Sequence, residues 1–219
     1  MWLHGGTLFV SVVVWINFHS CVGDRKRPGR RVGHRPSTTL RRLQHECKNI
    51  LRENCSLFVA PTSLWQTNST AVRLAPLPNN MHEWHFSFSG VPGSPYEGGI
   101  YHGRFLLPTD YPMRGPRVQL MTPNGRFAIY KDICLSASSF HQESWSTHWT
   151  LYKLVVALRV HMLTRETEVG GIQSSSSFRR ALAQKSKSFT CSICGTDHAF
   201  LLAQNILADL NVPNSDDRE

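Results

Sequence analysis

Long apolar runs are scarce in this chain, and the one near its start could direct it to a membrane or lumen. The longest apolar run, Leu8-Phe-Val-Ser-Val-Val-Val-Trp-Ile-Asn-Phe18, falls short of the roughly 20 residues a spanning helix needs. Its length suits the core of a signal peptide, yet the residues before it hold no Lys or Arg, only His4, where such a segment starts basic. Residues 1–23 are therefore expected to be an apolar N-terminal segment, signal-like or a start-site artefact. Cysteine is scarce too. There are six in 219 residues, Cys21, Cys47, Cys55, Cys134, Cys191 and Cys194, irregularly spaced except for the last pair. That density is not a disulfide scaffold and fits a reducing compartment. Internal repeats are absent. Acidic residues are few, 15 against 24 Lys and Arg, and the excess is lopsided: residues 24–52 hold ten Lys/Arg and two Asp/Glu, so +8 of the formal +9 sits there. A basic head on a near-neutral remainder suits an acidic partner, an anionic membrane or nucleic acid; a solubilising arm with an exposed helix face is the simpler reading.

The apolar fraction, 41%, is that of a globular chain. Residues 24–36 form a basic, Pro/Gly-punctuated linker. Ser37 and Thr38 are candidate N-caps for a helix of about 15 residues, with Leu40, Leu43, Cys47, Ile50 and Leu51 at helical spacing. Residues 56–70 read as a loop. From Val72 the period becomes two. Trp84, Phe86 and Phe88 alternate with polar residues, as do Tyr101, Phe105 and Leu107 in the next run. Those runs, with Val72–Leu77 before them and Val118–Met121 after, predict a four-stranded antiparallel meander. Thr150 caps a predicted helix through Leu163 with an apolar stripe of Leu151, Leu154, Val155, Leu158 and Met162. Residues 164–177 read as a flexible Gly/Ser linker. Residues 178–219 read as a helical extension: a short basic helix near 178–187, the pair Cys191-Ser-Ile-Cys194, and an apolar segment from Asp197 to Leu210. The fold class is α+β.

One stretch organises the rest: Thr122-Pro-Asn-Gly-Arg-Phe-Ala-Ile-Tyr-Lys-Asp-Ile-Cys134-Leu-Ser136, followed by a polar loop with Trp145 and Trp149. A thiolate is a strong nucleophile, and an amide N–H such as that of Asn124 can bond the oxyanion formed when a thioester is attacked. A lone cysteine in an apolar run is more often a small buried hydrophobe, and Asn-Gly is a turn signal on its own.

The company these residues keep resembles the ubiquitin-conjugating enzyme core. Pro95-Tyr-Glu-Gly-Gly-Ile-Tyr101, Leu107-Pro-Thr-Asp-Tyr-Pro112, the Pro123-Asn124 turn and Ile133-Cys134-Leu135 before Trp145 occur in that family's order and spacing over about residues 79–163. The resemblance extends the core domain to 37–163. Asn80-Met-His-Glu-Trp-His-Phe86, Gly99-Ile-Tyr-His-Gly-Arg104, Ile133-Cys-Leu-Ser136 and Arg179-Arg-Ala-Leu-Ala-Gln-Lys-Ser186 are similar to its J-type, endoplasmic-reticulum-associated branch, a tail-anchored group working on the cytosolic face in degradation of misfolded proteins. Departures are visible: Thr122 stands for the usual His of the His-Pro-Asn turn, Gly115 for the first of two prolines, and Ser136 for an acidic residue; 56–70 looks like an insertion. The chain closes on Asp216-Asp-Arg-Glu219 with no expected tail anchor, which leaves membrane association open.

The resemblance implies that Cys134 accepts ubiquitin as a thioester from the activating enzyme and passes it to a lysine of a protein substrate, with a RING or HECT-type ubiquitin ligase holding both. It implies no cofactor, since ATP is used by the activating enzyme. Asn124 is the candidate oxyanion stabiliser as well as a turn residue. Ser136 is the candidate gate for the acceptor, with a hydroxyl acceptor among the alternatives, or a mere turn cap. Trp145 and Trp149 are expected to anchor the loop to the core. The alternative is a catalytically silent protein of the same fold that binds ubiquitin or a ligase. His141 and Glu143 near Cys134 invite a cysteine-protease reading, which the meander and the lack of a third partner disfavour. Nucleic-acid binding by residues 24–52 rests on charge alone and is not expected. Cys191 and Cys194 are half of a zinc site; no second pair stands near them in sequence and His198 alone does not complete one, so no metal is assigned.

Overall fold

A computed structural model describes residues 37–54, 72–135, 144–164 and 170–202. The expected N-terminal segment, basic linker and 56–70 loop lie outside them, as does the chain beyond 202. Ser37 caps helix α1, Thr38–Asn54, its hydroxyl accepting from Leu40 N at 3.2 Å. Leu43, Cys47 and Ile50 bury one face of it in the core; Leu40, expected on that stripe, is exposed. Strands β1 (Val72–Leu77), β2 (Asn80–Ser89), β3 (Ile100–Leu106) and β4 (Arg117–Leu120) form an antiparallel sheet in the order β1-β2-β3-β4. The alternation places Trp84, Phe86, Phe88, Tyr101 and Phe105 on one face, all fully buried. Helix α2, Leu151–His161, packs there with Leu151, Leu154, Val155 and Leu158 buried, and Thr150 caps it by accepting from Lys153 N. Arg159 locks α2 to the end of β2 through Ser89 O at 2.8 Å.

Two features depart from the alternating picture. The polar face of β2 and β3 is not solvated: His85, Ser87 and His102 are all buried, with the C-terminal segment lying against the two histidines. The Gly/Ser stretch expected as a flexible linker is also held where it is described. Ala128 N donates to Gly170 O (3.0 Å) and Ile172 N to Arg126 O (2.8 Å), while Ser174 Oγ donates to Gly125 O (2.6 Å). Small residues let this backbone lie flush against the 124–128 turn. Helix α3, Ser176–Ser186, follows, capped by Ser175, and its last residue accepts from Ile100 N at 2.9 Å, tying it to β3.

Candidate active site

After β4 the chain turns and runs back along the sheet edge. Thr122 opens the turn: its hydroxyl accepts from His102 N at 2.9 Å, so a threonine holds the place expected of a histidine through a backbone bond. Asn124 is buried at the centre. Its side-chain oxygen accepts from Arg126 N (2.8 Å) and Phe127 N (2.7 Å), and its amide donates to Thr122 O (3.0 Å) and Phe127 O (3.3 Å). Two donors and two lone pairs are all a primary amide has, so every position is used inside the turn. Gly125 follows with φ +73°, and a Cβ there would meet Ser174 Oγ at 2.8 Å; both angle and space require glycine.

Tyr130 takes φ 58°, a left-handed conformation that reverses the chain. From there Tyr130 N donates to Leu120 O (2.8 Å) and Ile133 N to Val118 O (2.9 Å), with Gln119 and Asp132 bridged between them. The Asp132 carboxylate accepts from Gln119 Nε2 (2.7 Å) and Arg117 Nε (2.8 Å). Leu135 N then donates to Ile133 O at 3.0 Å, a three-residue turn with Cys134 at its apex. Ile133 and Leu135 point into the core while Cys134 is only half-buried. The pinned edge and the apex together hold Cys134, partly accessible, between two buried anchors. Ser136, His141 and Glu143 lie outside the described residues.

Trp145 docks the following loop: its indole donates to Pro112 O at 2.7 Å, with its ring 6.2 Å from that of Tyr111. Beneath lies a group that the sequence does not advertise. Glu46, buried in α1, accepts from Arg42 Nε (2.8 Å), the Tyr111 hydroxyl (2.9 Å) and Leu151 N (3.1 Å), while Arg42 also donates to Thr147 O and Trp149 O. Burial, then the Glu46 charge, pushes the Tyr111 phenol above its usual range. One carboxylate thus joins α1, the Tyr111-Pro112 corner, the tryptophan loop and the start of α2.

A second cluster lies on the outer face. His85, His102, Cys191 and Cys194 each bring one ligand atom within 4.8 Å of the others. The cysteine pair that lacks a partner along the sequence thus meets two histidines across the sheet. His198 is not among them; its Nδ1 donates to Ser186 O at 2.7 Å.

A helix, a four-stranded meander with a second helix on its apolar face, and a half-buried cysteine after an Asn-braced turn define an α+β ubiquitin-conjugating fold. A putative ubiquitin conjugating enzyme from Plasmodium yoelii shares it, with a TM-score of 0.53 at 20% identity over 69% of this chain and 96% of its own. The family model described as ubiquitin-conjugating enzyme matches residues 42–199, and the chain belongs to that family. Ubiquitin-conjugating enzyme E2 J1 of Homo sapiens is 44% identical over 122 residues, 55% of this chain and 38% of that protein. Ubiquitin-conjugating enzyme E2 6 of Schizosaccharomyces pombe is 38% identical over 142 residues, 65% of this chain and 60% of that protein. The chain thus spans between 38% and 60% of the length of these curated relatives, and the J-type likeness seen in the sequence is supported by them.

Proposed function

We propose that this protein is an active ubiquitin-conjugating enzyme whose Cys134 carries ubiquitin as a thioester and delivers it to substrate lysines with a RING or HECT-type ligase. The observation that carries the reading is the half-buried Cys134 at the apex between buried Ile133 and Leu135, in a chain of this family. In charging, the Cys134 sulfur attacks the carbonyl of ubiquitin's terminal glycine on the activating enzyme. A new C–S bond forms, the old one breaks, and the proton leaves with the departing thiol. The exchange swaps one thioester for another, so the protein's contribution is position and charge stabilisation. ATP is spent on the activating enzyme, and this chain needs no cofactor for the step.

Asn124 first braces the turn. Its bond to Phe127 O, the longer of its two donations, is the one an oxyanion would replace. Work on misfolded proteins at the cytosolic face of the endoplasmic reticulum is part of this proposal, and the likeness to the J-type branch is what supports it.

The test is incubation with activating enzyme, ubiquitin and ATP. A reductant-labile adduct is expected, absent in Cys134→Ala and converted to a reductant-stable ester in Cys134→Ser. No adduct from a folded wild-type protein sinks the reading and leaves a silent binding module. Asn124→Asp keeps the acceptor oxygen for both backbone N–H groups and removes both donors. Slower discharge to lysine, by about 10²-fold, supports the oxyanion role; unchanged discharge removes it. Discharge compared on free lysine and free serine decides the acceptor beside Ser136.

A further inference from the structure

The buried outer face of the sheet holds a group that thioester chemistry does not use. His85 on β2 and His102 on β3 point to that face. In the strand register His85 lies opposite Arg104 and Ser87 opposite His102, so the two histidines are diagonal neighbours, close enough for their rings to meet; the centroids are 5.2 Å apart. The C-terminal segment supplies the other half. Cys191 N donates to Thr196 O (2.8 Å) and Gly195 N to Cys191 O (2.9 Å), closing a tight turn over Cys191-Ser-Ile-Cys194. Gly195 sits at φ +72° with open space around a Cβ, so the backbone angle is what calls for glycine there. The turn directs both sulfurs at the imidazoles.

We propose that His85 Nδ1, His102 Nε2, Cys191 Sγ and Cys194 Sγ bind a zinc ion in a closed structural site that fastens the C-terminal segment to the outer face of the sheet. Tetrahedral zinc with bonds of about 2.05 Å to nitrogen and 2.3 Å to sulfur sets edges of about 3.3 Å between nitrogens and about 3.6 Å between nitrogen and sulfur. The corresponding distances are 3.0 Å for His85 Nδ1 to His102 Nε2, 3.7 Å for Cys191 Sγ to His85 Nδ1 and 3.5 Å for Cys194 Sγ to His102 Nε2. Of these three edges the nitrogen pair is the one clearly tighter than a bound ion would leave it, and all four atoms lie within 4.8 Å of one another.

The surroundings orient the ligands. His85 Nε2 lies 3.3 Å from Glu83 Oε1 and donates to it, which leaves Nδ1 as a lone pair. His102 Nδ1 lies 2.8 Å from Ser87 Oγ, and its donation there frees Nε2. The Thr196 hydroxyl is 3.1 Å from Cys194 Sγ, placed to donate to a thiolate. Acceptors behind the histidines and a donor beside a sulfur are the outer shell that metal sites carry. Two sulfurs and two imidazoles select zinc over magnesium or calcium, which take oxygen. Binding releases both thiol protons to solvent as two Zn–S bonds form, and Zn²⁺ with two thiolates is neutral, as a buried site requires. No fourth ligand position is left for water, so the site is structural and not catalytic.

The test measures metal in the purified full chain and follows Co²⁺ substitution. One zinc per chain is expected, with cobalt giving the ligand-field and thiolate charge-transfer bands of a tetrahedral S₂N₂ site. Cys194→Ser and His102→Ala should each lose the stoichiometric metal and the cobalt spectrum. Refolding the wild type with and without one equivalent of Zn²⁺ covers a variant that fails to fold: zinc should raise the midpoint by several degrees when present at about a hundredfold over Kd. Wild type that neither carries nor takes up zinc overturns the proposal, as does a Cys191–Cys194 disulfide in protein purified under reducing conditions. Metal retained by Cys194→Ser with an unchanged cobalt spectrum overturns it too. Thioester formation on Cys134 is read separately, so failure of one proposal does not decide the other.

Discussion

Replacing Glu46 with alanine should unfold the joint between α1, the Tyr111 corner and α2. The carboxylate is fully buried and its Arg42 partner is 17% exposed at the side chain. Removing one member of a buried ion pair costs about 3–5 kcal/mol; partial exposure of Arg42 lets it recover some hydration and pulls the figure down. Against that, the Tyr111 hydroxyl and Leu151 N lose the acceptor they share, at about 1–3 kcal/mol for each buried donor left unmade. These terms overlap, and about 3–5 kcal/mol in total is expected. At about 2–4 °C per kcal/mol for a chain of this size, the thermal midpoint should fall by about 6–20 °C. Circular dichroism melts and denaturant titrations measure it. Tyr111→Phe removes one of the three bonds, so the Glu46→Ala/Tyr111→Phe double variant should lose about 1 kcal/mol less than the sum of the singles. A loss below about 1 kcal/mol for Glu46→Ala, the range of a surface substitution, refutes the reasoning.

Two further substitutions probe the sheet. Gly103→Ala puts a Cβ 2.5 Å from Gln119 O and 2.5 Å from Phe86 Cζ, a clash in the middle of β3 that should cost about 2–3 kcal/mol by denaturant titration; a neutral result means that β3 and β4 are less tightly paired than described. Asp132→Ala removes the carboxylate that holds the Cys134 strand to Gln119. Its bridge to the half-exposed Arg117 is worth little, so stability should fall by only about 1 kcal/mol while Cys134 charging slows by about tenfold through lost positioning. Unchanged charging would show that the thiol is placed by Ile133 and Leu135 alone.

How much of this was legible in the sequence follows from how far apart the interacting residues lie. The alternation of Trp84, Phe86 and Phe88 marked β2 and its core face, because a strand's period is local. The caps Ser37 and Thr150 were legible for the same reason. Alternation says that one face is apolar, but not whether the other is left to water. His85, Ser87 and His102 read as solvent-facing, and they are buried by a segment about a hundred residues further on. Cys191 and Cys194 found no partner in line because their partners are 106 and 92 residues away, on strands whose pairing has to be known first. Glu46 reads as one polar residue on an amphipathic helix, and only the packed structure shows three donors converging on it.

The placement of the thiol itself is a consequence of edge chemistry. β4 is the last strand of the sheet, and an uncovered edge exposes a row of unpaired backbone groups. The 130–133 segment covers that edge through Leu120 O, Val118 O and the Gln119–Asp132 bridge. Past that pinned segment Cys134 is half-buried while Ile133 and Leu135 on either side of it stay in the core. Behind the edge a polar chain continues across the outer face: Gln119 accepts from Arg104 Nε at 3.0 Å, and Arg104 Nη1 donates to Glu83 at 2.9 Å, which in turn holds His85. The residues that orient one proposed zinc ligand and those that pin the Cys134 strand therefore belong to one bonded row. Breaking the row at Arg104, which touches neither sulfur nor thioester, should loosen both ends; Arg104→Met would be expected to weaken zinc retention and slow charging together, and a change in one alone would show that the two ends are held independently.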